Sequence, residues 1–143
     1  MATYNGFQCF SEDLVDGVHN FASNTFKVYL SNATPSASAD LVKADLAEIA
    51  TGNGYDTAGG LTTTVAVSRS GATTTVTGTQ VSWTATGAMA TFRYVVLYND
   101  TSASDSLIAW WDYGSAVSLN TGESFTVKFN NASPGTIFTL GAA

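Results

Sequence analysis

A chain of 143 residues with 45% hydrophobic side chains can bury one compact core and is short for two. Charged residues make up only 11%, and the net charge of −6 leaves just five scattered cations (Lys27, Lys43, Arg69, Arg93 and Lys128). That excludes the basic face that phosphate neutralisation requires, so no nucleic-acid partner is expected. No apolar run long enough to span a membrane is present, residues 1–6 lack the character of an export signal, and Cys9 stands alone, which rules out an intrachain disulfide. The expectation is a single domain over 1–143, made in a reducing cytoplasm, with no membrane partner.

In chain order, the first element predicted is a short helix. Ser11 reads as its N-cap, Glu12 and Asp13 suit the positive end of the helix dipole, and Phe10 and Val15 stand at the positions of a hydrophobic staple. Leu14, Val15 and Val18 form its apolar face, and His19-Asn20 close it. A strand follows at 25–31, with Phe26, Val28 and Leu30 on one side and Lys27 and Tyr29 on the other. Residues 31–38, including Pro35, read as a loop. A second helix is predicted over 39–50, where Val42, Leu46 and Ile49 share a stripe, with Gly52 as its terminator.

Beyond Gly60 the hydrophobic period becomes two. Leu61, Thr63, Val65 and Val67 alternate with small residues, as do Val81 and Trp83 with Ser82 and Thr84. Segment 92–98 is apolar on both faces, as a strand covered twice would be, and 107–111 is similar. Segments 117–119 and 125–129 flank Asn120-Thr121-Gly122-Glu123, read as a hairpin turn, and 136–140 is a last strand. Strands at this spacing predict a mainly β protein, an antiparallel β-sandwich or jelly-roll-like fold with one or two short helices in the N-terminal third. Few charges guard the strand edges, which favours an oligomer or a lattice.

Residues able to carry chemistry are sparse. Gly52-Asn53-Gly54-Tyr55 resembles part of a phosphate loop, but it follows a helix end instead of opening one, so a turn is expected. His19 is the sole histidine, and the sequence around Cys9 has no nucleophile motif, so both read as structural. Asn99, Asp100, Asp105 and Asp112 have oxygen ligands suited to calcium, yet their setting is also ordinary turn composition. Asp112, beside Trp110-Trp111, is the one carboxylate placed as a glycosidase acid would be, and it lacks an identifiable partner. No catalytic residue, cofactor or metal is expected. Trp110, Trp111 and Tyr113 form the densest aromatic patch and are the candidate interface. Adjacent strand residues point to opposite faces, so one indole is core and the other is free for contact.

The order of several motifs carries a resemblance. Gly17-Val18-His19-Asn20 leads into Phe26-Lys27-Val28-Tyr29-Leu30 and Ser31-Asn32-Ala33-Thr34-Pro35, followed by Ala47-Glu48-Ile49-Ala50-Thr51-Gly52-Asn53-Gly54-Tyr55. Phe92-Arg93-Tyr94-Val95-Val96-Leu97-Tyr98-Asn99-Asp100, Trp110-Trp111-Asp112-Tyr113-Gly114 and Gly122-Glu123-Ser124-Phe125-Thr126-Val127 complete the set. The chain thereby resembles a family of small structural proteins of tailed bacteriophages, some of which look like capsid decoration (cement) proteins. What the resemblance implies is a non-enzymatic virion component on the capsid surface, with the major capsid protein as partner and a homo-oligomer, a trimer favoured. Two other roles remain open: a receptor-binding or fibre-associated glycan-binding module, and a tail or head–tail connector protein.

Overall fold

The computed structural model describes residues 2–141. In chain order it contains β1 (Asn5–Gly6), α1 (Cys9–Val15), β2 (Phe26–Ser31), β3 (Leu61–Thr63), β4 (Val65–Ser70), β5 (Thr73–Gly78), β6 (Val81–Thr84), β7 (Phe92–Asn99), β8 (Leu107–Val117), β9 (Ser124–Val127) and β10 (Gly135–Gly141). Short 3₁₀ turns lie at Lys43–Asp45 and Phe129–Asn131. The fold is mainly β and antiparallel throughout, with one short helix near the N-terminus. A five-stranded sheet, ordered β1-β8-β7-β2-β3, opposes a three-stranded sheet, β10-β5-β4, and a two-stranded one, β6-β9.

The central strands are apolar on both sides because both faces of the large sheet are covered. Phe26, Val28 and Leu30 of β2 join Phe92, Val95 and Leu97 of β7 in the larger core, against Val76, Trp83 and Ile137 of the smaller sheets and Phe129 of the second 3₁₀ turn. On the reverse face Tyr29, Val96, Tyr98 and Leu107 pack with Phe7 and Leu46. Burying such side chains contributes about 1.5–3 kcal/mol each, which makes the β2–β7–β8 ladder the stable frame of the molecule.

Three local expectations are corrected. First, α1 begins one turn earlier than the Ser11 reading, with Gln8 at the cap position, and Ser11 lies inside it with Oγ–H directed at the Gln8 carbonyl (3.5 Å). Val15 is 87% exposed, so the Phe10–Val15 staple does not form, and the helix buries none of its residues fully. Gly17, at φ +78, ends it in the left-handed conformation that glycine supplies without strain, and His19-Asn20 lie beyond it.

Second, 39–50 is not a helix. Only Lys43–Asp45 makes a 3₁₀ turn, and Gly52 is not a helix terminator but the first residue of a tight turn to Tyr55. Side chains outcompete the helical ladder here: Asp40 Oδ2 accepts the Ser36 N–H (2.7 Å), while Asp45 Oδ2 accepts those of Leu41 and Val42 (3.0 and 3.1 Å). The apolar residues also part company, since Leu46 packs on one face of the large sheet and Ile49 on the other.

Third, the 120–123 turn exists but closes no hairpin. Glu123 N–H bonds the Asn120 carbonyl (3.0 Å) with Gly122 at φ +89, and the outgoing strand β9 pairs with β6 rather than returning along β8.

Where β3 stops pairing with β2 at Val28, other groups continue the ladder. The Leu30 N–H donates to the Tyr55 hydroxyl (3.2 Å) and the Leu30 carbonyl accepts the Ile49 N–H (3.0 Å). Glu48 anchors this irregular segment: it accepts from Tyr55 Oη–H (2.6 Å), Gly59 N–H (2.8 Å) and Lys43 Nζ (2.8 Å).

Candidate interaction site

The three aromatic residues singled out in the sequence lie on β8, and alternation separates them as expected. Trp110 and Trp111 point to opposite faces, but both are half-buried, so neither is the core indole expected of one of them. The Trp110 ring packs on Phe7 at 4.6 Å. Trp111 stands between Tyr4 (5.7 Å, edge-on) and Phe129 (5.4 Å). Tyr113 shares the Trp111 side, rests against Phe125 at 5.8 Å and is 58% exposed.

Tyr113 reaches the surface because β8 bulges. Tyr94 pairs with Asp112, but Phe92 pairs with Val117, so 113–116 loop outward, with Gly114 at φ +98. Asp112 ties the base of this bulge: Arg93 donates to both its oxygens (2.8 and 2.9 Å) and the Gly114 N–H to Oδ1 (2.8 Å). The guanidinium first, then the amide, holds the Asp112 carboxyl below the usual carboxylate range. Asp112 is therefore ionised and occupied, a positioning residue for Tyr113.

On the Trp111 side a cleft of about 270 Å³ opens between the large sheet and β9. Val95, Trp111 and Tyr113 form one wall, Phe125 and Val127 the other, and the turn Phe129–Asn131 closes one end. A second depression of about 220 Å³ adjoins it, formed with Tyr4, Ile137 and Phe138, and shares Trp111 and Asn130 with the first. Burial pushes the Tyr4 hydroxyl up to about 12. Asn130 and Asn131 both adopt positive φ (48° and 56°), and their exposed side chains make no hydrogen bond among the described residues. Sequence reasoning missed Tyr4, Phe125, Phe129, Asn130 and Asn131. The Asn-Asn pair was the one available signal, since asparagine tolerates the left-handed region better than most residues.

A second surface lies on the three-stranded sheet. Register places Ala66, Thr77 and Thr136 in one cross-strand row, Ser68, Thr75 and Thr139 in the next, and Ser70, Thr73 and Gly141 in the last. The face is hydroxyl-rich and uncharged, and the outer edges of β4 and β10 pair with no strand among the described residues.

The remaining candidates serve the fold. Asn99 is fully buried: its Nδ2 faces Asn24 Oδ1 (2.9 Å), the Val18 carbonyl (3.1 Å) and His19 Nδ1 (3.1 Å), and its Oδ1 accepts the Thr101 N–H (3.0 Å). Asp100 pairs with Lys27 (3.0 Å), and Asp105 sits in a left-handed turn. Asn99, Asp100, Asp105 and Asp112 are thus not gathered around one point, and the described residues contain no group of three or more His, Cys, Asp or Glu placed to hold a metal. Cys9 Sγ lies near the Leu41 and Leu107 carbonyls (3.6 and 3.7 Å), and burial followed by the Asp13 charge pushes its thiol up, away from the reactive thiolate. The Gly52-Asn53-Gly54-Tyr55 turn is a packing element: a Cβ on Gly54 would fall 2.1 Å from the Thr84 carbonyl oxygen.

No protein-family model, no curated protein and no solved structure matches the chain.

Proposed function

We propose that this chain is a non-enzymatic decoration protein of a tailed-phage capsid, an oligomer that binds the major capsid protein on the outer surface and stiffens the shell. The observation that carries this reading is the uncharged hydroxyl face of β4, β5 and β10, whose two edges pair with no strand among the described residues. An edge strand offers a row of unpaired N–H and C=O groups, and proteins that act alone usually guard it with charge or proline. Here Arg69 is the one charged residue in the three strands. A surface of this kind suits a wet, shape-determined contact with neighbouring subunits, and many copies make weak individual contacts additive across a shell. The motif order that resembles phage virion proteins supports the same assignment.

The test mixes the purified protein with expanded capsids that lack it, followed by imaging and heating. Regular surface density and a raised disruption temperature are expected. Ser68→Lys with Thr75→Lys, which charges the middle of the face, should abolish both. If the unaltered protein fails to bind capsids, the assignment is wrong; if the double variant binds normally, the face is wrong.

A further inference from the structure

We propose that the paired depressions on either side of Trp111 form a binding site for an oligosaccharide, two successive pyranose rings lying across the indole. The two hollows, about 270 and 220 Å³, adjoin and share Trp111 and Asn130. Each falls below the range of about 300–1,000 Å³ typical of drug-sized ligands, which fits one ring apiece and not one larger molecule. Their walls have the mixed chemistry that a sugar presents. A pyranose has an apolar C–H face and a periphery of hydroxyls. Tyr4 and Trp111 in one hollow, and Trp111, Tyr113 and Phe125 in the other, provide flat apolar surface that orders at low entropic cost.

The polar requirement is met at the rim. The amides of Asn130 and Asn131 and the Tyr113 hydroxyl make no hydrogen bond among the described residues, so each retains donors and acceptors for vicinal hydroxyls. Positive φ at both asparagines holds that turn in a conformation few residues adopt, at some backbone cost, with Asn130 where the two hollows meet and Asn131 on the larger one. Asp112, through Arg93 and the Gly114 amide, fixes the bulge that carries Tyr113 to the rim. The smaller hollow borders the three-stranded hydroxyl face, since Thr136 and Thr139 of β10 belong to both, whereas the larger hollow draws none of its lining from that sheet. The inference also stands without the capsid assignment.

Tryptophan fluorescence tests it with glucose, maltotriose, chitotriose and a bacterial O-antigen polysaccharide as probes. At least one oligomeric probe should change the emission and bind at least tenfold more tightly than glucose, because it fills both hollows. Trp110→Phe, on the opposite face of β8, should keep the response, whereas Trp111→Phe should remove it. Tyr113→Ala and Asn130→Gly, the latter suited to the left-handed backbone, should each weaken binding by fivefold or more with unchanged thermal stability. Absence of any response to the four probes overturns the proposal. So does a response that survives Trp111→Phe, or equal affinity for glucose and the oligomers.

Discussion

Removing one oxygen from the protein interior tests the reading of the irregular 39–60 segment. Tyr55 is fully buried, and its hydroxyl donates to Glu48 Oε1 (2.6 Å) while accepting the Leu30 N–H (3.2 Å), at the point where β3 no longer pairs with β2. Tyr55→Phe keeps the ring against Trp83 (5.7 Å) but leaves a fully buried N–H without a partner and takes one donor from a mostly buried carboxylate. An unsatisfied buried donor costs about 1–3 kcal/mol and a hydrogen bond to a charged group contributes about 1.5–3 kcal/mol. Glu48 keeps Gly59 and Lys43 as partners, which places the sum at about 2–4 kcal/mol. For a domain of this size that is a fall in Tm of roughly 10 °C. Urea denaturation and calorimetry would measure it, with Tyr94→Phe as the matched control. The Tyr94 hydroxyl has a single 3.5 Å contact with Thr34 Oγ1, so its loss should cost under ~0.5 kcal/mol. If Tyr55→Phe costs no more than Tyr94→Phe, the phenol does not replace the missing strand and the argument fails.

Other expectations concern pH, backbone space and salt. Burial lowers the His19 pKa and outweighs the attraction of Asp13 (3.9 Å away), so the folded state favours neutral histidine. Stability from this group is complete above its unfolded pKa of about 6.5 and is lost as pH falls below it. Tm should therefore drop between pH 7 and pH 5, and a His19→Phe variant with the same drop would refute the assignment. A Cβ on Gly60, at φ +77, would lie 1.9 Å from the Val28 carbonyl oxygen. Gly60→Ala should thus cost about 3–5 kcal/mol, whereas Gly71→Ala, with open space around it, should cost about 1–2 kcal/mol by chemical denaturation. Capsid binding through an uncharged face should change little between low and high salt; a steep salt dependence would point to a charged surface instead.

What the sequence revealed depended on whether the physical cause was local. The β7 strand was legible because Phe92 to Tyr98 are apolar at every step but Arg93, which a strand covered on both faces requires. In β6, alternation of Val81 and Trp83 with Ser82 and Thr84 matches the observed burial. The failed helix over 39–50 had a genuine helical stripe, yet Leu46 and Ile49 were drawn to opposite faces of a sheet whose strands lie far away in sequence. At 120–123 the turn was readable from Gly122, but the choice of β6 as the partner of β9 is made by tertiary packing. The site divides the same way. Trp111 and Tyr113 were visible as an aromatic cluster, whereas Tyr4, Phe125 and Asn130 enter it from segments distant in the chain.

The scarcity of charge takes on a sharper meaning once its positions are known. Of the five cations, Lys27, Lys43 and Arg93 pair with Asp100, Glu48 and Asp112, and Arg69 Nη1 caps the Gly71 carbonyl (2.9 Å). Each contact ties down a turn or bulge. None spans the hydroxyl face or the aromatic hollows. The Lys43–Glu48 pair is mostly buried, whereas the more exposed pairs contribute little to stability and their value lies in fixing loop geometry, most clearly where Arg93 and Asp112 hold the bulge that carries Tyr113. Apart from Lys128, which lines the larger hollow, the two candidate contact surfaces are left to hydroxyls, amides and aromatic rings, groups that recognise shape and hydrogen-bond pattern rather than charge. That distribution accords with the proposed coat-surface and sugar contacts, and the carboxylates of Asp40, Asp45, Glu48, Asp100, Asp112 and Glu123 are engaged in holding turns, loops and the β8 bulge.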